Sequence, residues 1–174
     1  MPAHRPTHRA VTGYTMIELV LVIVIIGIMG GVGAQVFSSG LTAYTTTAAS
    51  LDELNQLRFG MERIARELRE IRYTAGAAQI VTPFSATQIT FTNNDGNVVT
   101  LTTSIPNITL AYTTPAASAT LLRNITALSL AYKQNDGATA ATATNNLGFV
   151  DITVSAQVAS GVYTRSTRVA MRSL

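Results

Sequence analysis

Cysteine is absent from this chain of 174 residues, and histidine occurs only at positions 4 and 8. Zinc sites and the common nucleophile–base pairs usually need one of these two residue types. No phosphate-binding glycine loop and no dinucleotide fingerprint occurs either. We therefore expect no enzyme, no cofactor and no metal site. Without disulfides, an exported domain of this chain must be held together by its hydrophobic core.

Charge is also scarce, since charged residues make up 12% of the chain and the formal net charge is +3. Counted from Tyr14 onwards, without Arg5 and Arg9, 12 basic side chains become 10 against 9 acidic ones, which leaves +1. No concentrated basic tract lies outside the helix described below. Direct nucleic-acid binding by charge is therefore not expected.

One long apolar run, Met16 to Val36, dominates the N-terminal region, and Glu18 and Gln35 are its only strongly polar residues. At about 1.5 Å per residue, a helix of this length spans roughly 30 Å, the thickness of one bilayer core. Arg5 and Arg9 precede the run, so the N-terminus is predicted to stay cytoplasmic. The run therefore predicts a single membrane-spanning segment.

The start of this run reads Gly13-Tyr14-Thr15-Met16-Ile17-Glu18-Leu19-Val20. A lone acid near the start of a membrane span costs roughly 2.5–3.5 kcal/mol on insertion scales, so Glu18 calls for a functional explanation. The junction resembles the processing site of type IV prepilins and of type II secretion pseudopilins. The family usually has Phe where this chain has Tyr14, and the Tyr ring keeps the apolar body.

The resemblance implies a leader of residues 1–13, which a prepilin peptidase removes by cutting after Gly13. It implies that the new N-terminal amine of Tyr14 is methylated and that Glu18 is the assembly carboxylate. Residues 14–36 are then the helix that anchors the subunit in membrane lipid and later forms the filament core. The implied partners are the peptidase, inner-membrane lipid and other pilins or pseudopilins.

The residues themselves support a charge pairing at this junction. Cleavage would expose the amine of Tyr14, whose reference pKa of about 7.7–8.0 leaves much of it cationic near neutrality. Glu18 lies one helical turn further on, near the positive end of the helix dipole. Because a carboxylate in lipid needs a cationic partner, the amine of a neighbouring subunit could satisfy Glu18 and set the filament register.

Two other interpretations of the N-terminal region stay open. In the first, it is a secretory signal peptide with Val32-Gly33-Ala34 as a small-residue cleavage site, although the apolar run exceeds the usual 7–15 residues. In the second, it is an unprocessed membrane anchor, which explains the length but neither Glu18 nor the Gly13-Tyr14 junction.

An amphipathic helix is predicted over about residues 51–73, and residues 37–50 either continue the apolar helix or loosen it. Arg and Glu at i,i+4 spacings, such as Arg63 and Glu67, predict a solvated face opposite an apolar stripe. The segment Glu62–Arg69 also resembles the helix of minor pilins and of J-type pseudopilins. The stripe recurs at spacings of three and four: Leu54, Leu57, Met61, Ile64, Leu68 and Ile71.

From about residue 78 to 172 the apolar period changes to two, which predicts antiparallel strands. Asn93-Asn94-Asp95-Gly96 predicts a hairpin turn, because Asp-Gly tolerates positive φ. Gln134–Leu147 is predicted to be a mobile polar loop, and Ser160-Gly161 a turn. The final strand carries Arg165, Arg168 and Arg172, which would blunt an exposed edge. The predicted strands lie around 88–92, 99–102, 108–112, 128–132, 150–158 and 163–171.

The expected fold is α+β and pilin-like: a long N-terminal helix packs its second half on an antiparallel sheet, in a periplasmic domain of residues 37–174. The expected function is a structural minor pilin of a type IV or mannose-sensitive-haemagglutinin-like pilus, located first in the inner membrane and then in a periplasmic or extracellular filament. The first alternative is a J-type pseudopilin of type II secretion. The second is an adhesive module that the helix delivers.

Overall fold

The computed structural model describes residues 13–82, 84–159 and 161–171. The chain divides into two compact units, Met1–Thr46 and Thr47–Leu174. One helix, α1 (Met16–Arg69), runs through both units. The strands, all in the second unit, are β1 (Tyr73–Thr74), β2 (Ala77–Ala78), β3 (Gln88–Thr92), β4 (Val98–Ser104), β5 (Asn107–Thr113), β6 (Ala116–Leu122), β7 (Ile125–Lys133), β8 (Phe149–Val158) and β9 (Gly161–Ala170).

The Ser- and Thr-rich segment 37–50 continues α1. The hydroxyls of Thr42, Thr45 and Thr46 donate hydrogen bonds to carbonyls three or four residues earlier, at 2.8–3.0 Å. Such bonds satisfy the hydroxyls without breaking the helical ladder. The helix ends at Arg69, four residues before the predicted end. Just beyond this end the chain lies beside β3, and the backbone N–H of Arg72 donates a hydrogen bond to the carbonyl of Thr92.

The predicted apolar stripe is the buried face of α1. Leu57, Met61, Ile64 and Leu68 are at most 4% exposed, whereas Leu54 is half-buried. Gly60 lies within this face, and a Cβ atom there would collide with the side chain of Leu122 at the end of β6. The missing side chain therefore lets α1 approach β6 closely.

The strands form antiparallel sheets, and the predicted α+β class is confirmed. One sheet has the order β3-β4-β5-β6 and another the order β7-β8-β9, while β1 and β2 form a short ribbon. The strands thus divide between two main sheets rather than forming one. The chain passes from the first sheet to the second after Leu122, the last residue of β6. In this connection Asn124 adopts a φ of 56°, and the N–H of Ile125 donates a hydrogen bond to the carbonyl of Pro106.

All six predicted strands are present. Burial confirms the alternation in strands such as β4, β7 and β8, whereas in β9 only Val169 is buried. In β8, the residues at every second position from Val150 to Val158 are at most 5% exposed. Strand β6 was not predicted, because its sequence Ala-Ala-Ser-Ala-Thr-Leu-Leu lacks apolar alternation. The turn at Asp95-Gly96 joins β3 to β4, and Gly96 has a φ of 86°. Ser160 and Arg172 lie outside the described residues.

The loop Gln134–Leu147 contains no strand among its residues, all of which the structure describes. The carboxylate of Asp136 accepts hydrogen bonds from the N–H groups of Ala138 and Thr139 and from the hydroxyl of Thr139. These bonds hold the pKa of Asp136 below its ordinary value. Asp136 therefore organises a turn within the loop.

The prediction that the charged face of α1 is solvated is wrong at one residue, Glu67, which is only 8% exposed. The phenol of Tyr112 on β5 donates a 2.7 Å hydrogen bond to its carboxylate, and Arg63 lies 2.6 Å from the same oxygen. Arg63 also donates to the Tyr112 oxygen at 2.9 Å. Burial, followed by the hydrogen bond to Glu67, raises the pKa of Tyr112. Sequence spacing identifies the Arg63–Glu67 pair but not the tyrosine 45 positions away.

Replacing Ile64 tests whether the stripe is a packed core. Ile64→Ala should lower the free energy of unfolding by about 2–5 kcal/mol, because a fully buried side chain leaves a cavity. Arg66→Ala, on the exposed side of the same helix, should cost less than about 1 kcal/mol. Denaturant melts of the detergent-solubilised chain measure both values. Small, equal effects would contradict packing of α1 on the sheets.

Replacing Tyr112 tests the buried carboxylate. Tyr112→Phe should cost about 1–3 kcal/mol, because the largely buried carboxylate of Glu67 loses a hydrogen bond. Tyr163→Phe is the matched control: Tyr163 is half exposed, so it should change the unfolding free energy by less than about 0.5 kcal/mol. The same melts compare the two variants, and equal values would remove the special role of Tyr112.

Candidate functional site: the start of the apolar helix

Gly13 and Tyr14 are not helical, and Thr15 separates them from Met16, the first residue of α1. Tyr14 is 86% exposed. A Cβ atom built on Gly13 meets nothing within 4 Å among the described residues. The described fold therefore gives no reason for glycine at position 13. Residues 1–12 of the predicted leader lie outside the described residues.

Thr15 caps the start of α1. Its hydroxyl accepts a hydrogen bond from the backbone N–H of Glu18 at 3.3 Å, and its carbonyl accepts from Glu18 and Leu19 at 3.1 and 3.2 Å. A Thr followed three residues later by Glu is the sequence pattern of a capping box. This role of Thr15 was not among the predictions from the sequence, although the Thr15–Glu18 spacing indicates it.

Glu18 therefore occupies the third position of the helix, in its first turn. A carboxylate there is favoured by the helix dipole. Its side chain is exposed, and no side-chain hydrogen bond or ion pair joins it to another described residue. A capping role explains a Glu or a Gln at this position equally well, so the cap alone does not explain the charge.

The helix that follows is uncovered. Every residue from Met16 to Val36 is exposed, including large apolar side chains such as Ile17 (77%), Ile28 (64%) and Met29 (70%). Within the described part of the chain, α1 is the one helix long and apolar enough to span a membrane by length and composition. An apolar surface of this extent indicates contact with lipid or with another protein.

Glycines in this helix have no internal explanation. A Cβ atom built on Gly27, Gly30, Gly31 or Gly33 meets nothing within 4 Å among the described residues. Each glycine in a helix interior costs about 0.8–1 kcal/mol relative to alanine. Small residues at such spacings allow a second helix to approach closely in a membrane. The glycines therefore fit a helix whose neighbours come from outside the chain.

The described ranges 13–82, 84–159 and 161–171 contain no group of three or more His, Cys, Asp or Glu side chains that could hold a metal ion. No family model matches the chain, and no curated protein matches it by sequence. The interpretation of the site therefore depends on the residues themselves.

Proposed function

We propose that this chain is a structural, non-enzymatic, minor pilin-like subunit. In this proposal a prepilin peptidase cuts after Gly13 and methylates the amine of Tyr14, and the subunit joins or primes a type IV, mannose-sensitive-haemagglutinin-like filament. The observation that carries the proposal is the uncovered apolar helix, whose capped first turn holds the exposed carboxylate of Glu18 without a described partner.

The position of the scissile bond supports processing at Gly13. The Gly13–Tyr14 bond precedes the first helical residue and is exposed, and proteolysis favours such exposed segments outside regular structure. Ala34, the end of the alternative secretory cleavage site, lies inside the unbroken helix α1. The local structure therefore favours cleavage at the first bond over cleavage at the second.

The requirement for a partner charge supports assembly through Glu18. In lipid, an ionised carboxylate is costly unless it is paired. After cleavage, the amine of Tyr14 is the cation that each new subunit brings to the same depth of the membrane. A head-to-tail contact between the carboxylate of one subunit and the amine of the next generates a filament, because each subunit presents two different surfaces.

The same features support a J-type pseudopilin of type II secretion as the second candidate, because the segment Glu62–Arg69 resembles both groups. Deleting the gene distinguishes them. Loss or shortening of surface filaments supports the pilus subunit, whereas accumulation of secreted proteins in the periplasm supports the pseudopilin.

Processing is tested at Gly13. Intact mass of the protein extracted from native-host membranes should show an N-terminus at Tyr14 with one added methyl group. Gly13→Leu should block cleavage without changing the unfolding free energy, because the described fold leaves space at this position. Gly40→Leu is the matched control, also with open space around it, and should be cleaved normally. An N-terminus at Met1 or at Gln35 in the unaltered protein would contradict the proposal.

Assembly is tested by separating the charge of Glu18 from its capping role. Glu18→Gln keeps a side chain that can complete a capping box but removes the charge. It should insert into the membrane at least as well as the unaltered chain and be cleaved normally, yet its share in sheared filaments should fall sharply. Cell fractionation into membrane and sheared-filament pools measures both quantities.

Thr15→Ala is the complementary variant, because it weakens the helix cap by about 0.5–2 kcal/mol and keeps the carboxylate. It should enter filaments nearly normally. If Thr15→Ala abolishes incorporation while Glu18→Gln leaves it intact, Glu18 acts through the cap, and the proposed charge pairing is wrong.

A further inference from the structure

A polar groove of about 320 Å³ separates the last turns of the helix from the final strand within the unit Thr47–Leu174. We call it the arginine groove. The helix contributes Arg58, Glu62, Arg66 and Arg69, and β9 contributes Arg165 and Thr167. Four guanidinium groups and a single carboxylate therefore share a small space.

Most of this positive charge is uncompensated. Arg58 pairs with Glu62 at 3.0 Å, and both side chains are more than half exposed. Among the described residues, no carboxylate lies within ion-pair distance of Arg66, Arg69 or Arg165. The groove thus carries about three unpaired positive charges in a chain whose net charge is only +1 from Tyr14 onwards.

Arg165 occupies an unusual place in the sheet. In the β8–β9 register it lies opposite Val154, which is fully buried. Four pairs further along, the fully buried Val169 lies opposite Val150. Arg165 and Thr167 stand at alternate positions with Val169, so they belong to the row of β9 that faces the core. The core face of β9 is therefore uncovered where it borders the groove.

Strand β9 is also an edge strand. It pairs with β8 on one side, and the described residues provide no strand on its other side. An edge with free backbone donors and acceptors can accept an added strand. The groove and this edge lie side by side, because Arg165 and Thr167 belong to both.

Charged side chains on an edge strand discourage pairing with other chains, but this role explains only part of the arrangement. Arg168, on the outward row of β9, is neutralised by two hydrogen bonds to Asp151, at 2.6 and 2.8 Å. Arg66 and Arg69 come from α1 and protect no strand edge, yet they line the same groove as Arg165. A ligand for the groove explains why three arginines from two elements are left unpaired together.

We infer that the arginine groove docks an extended acidic segment of a neighbouring filament subunit, which adds alongside β9 and places carboxylates on Arg66, Arg69 and Arg165. Arginine binds carboxylates through paired N–H donors, and alternate side chains of an added strand all face the same side. The groove lies at the small end of the size range of ligand pockets, about 300–1,000 Å³, which suits a short segment rather than a nucleic-acid duplex. Only the naming of the partner as a filament subunit rests on the proposed function.

A peptide tests the site without filament assembly. The probe is a fluorescent octapeptide of alternating Thr and Glu, added to the detergent-solubilised full chain, and anisotropy gives the Kd. The double variant Arg66→Gln/Arg165→Gln should raise the Kd by at least about tenfold, because two charge-assisted contacts are lost. The control double variant Arg72→Gln/Arg123→Gln removes two arginines that do not line the groove, and should leave the Kd within about twofold.

Two further probes separate strand addition from simple charge attraction. The same peptide with all of its backbone amides methylated should bind at least about tenfold more weakly, because neither of its edges can then donate hydrogen bonds to β9. Equal binding of the methylated peptide would overturn the proposal. It would also be overturned if the unmodified peptide does not bind, if both double variants weaken binding alike, or if a single-stranded oligonucleotide of equal charge binds more tightly through the same arginines.

The partner is tested in the native host. Because the chain has no cysteine, Thr167→Cys offers a single attachment point for a photo-crosslinker in the groove. Crosslinks should join the chain to another filament subunit and disappear with Arg66→Gln/Arg165→Gln. Crosslinks to a protein absent from sheared filaments, or to none, would overturn the choice of partner. The peptide experiment would then still test whether the groove binds an acidic strand. The Gly13 and Glu18 variants would separately test the proposed role in filaments.

Discussion

The packing of α1 against the two sheets is the contact on which the unit Thr47–Leu174 depends. No disulfide is possible, so the unit is held together by apolar burial and backbone pairing. The buried helix face meets the inner rows of both sheets in one continuous core, which includes Ile64 from the helix, Phe91 and Ile108 from the first sheet, and Ile152 from the second. A helix that loosened here would uncover both sheets at once.

A charged cluster fixes how the helix sits on the first sheet. Apolar packing is non-directional, whereas the hydrogen bonds among Arg63, Glu67 and Tyr112 have defined geometry. The carboxylate of Glu67 is buried but receives both a phenol and a guanidinium, so the cost of its desolvation is offset. Gly60 also restricts how the helix packs on this sheet, because only a residue without a side chain fits against Leu122 of β6. Together these residues select one rotation of the helix among those that would bury the same apolar stripe.

The sequence predicted those parts of the fold that depend on local periodicity. The helical stripe and six strands follow from spacings of three to four and of two. Burial agrees with the helical stripe and with the alternation in β4, β7 and β8, but not with that of the largely exposed β9. Strand β6 could not be predicted in this way, because it is rich in Ala, Ser and Thr and is paired through its backbone to β5. The division into two sheets and the burial of Glu67 depend on contacts between residues far apart in the chain, which no local pattern encodes. At the helix start, the Gly13-Tyr14 junction and Glu18 could be identified from the sequence. The arginine groove could not, because its residues come from α1 and β9, which are far apart in the chain.

The two halves of α1 differ in whether their side chains have contact partners within the chain. In residues 57–68 every buried side chain has a partner within the chain. In residues 16–36 the apolar side chains, the glycines and the carboxylate of Glu18 lack one among the described residues. A helix satisfies its own backbone hydrogen bonds, so this segment can enter lipid without loss of structure. Lipid alone would cover the apolar side chains, but it would account neither for four glycines nor for an acid. The proposed bundle of like helices would account for all three, because glycines permit close approach and the amine of a neighbouring cleaved subunit would supply the missing charge.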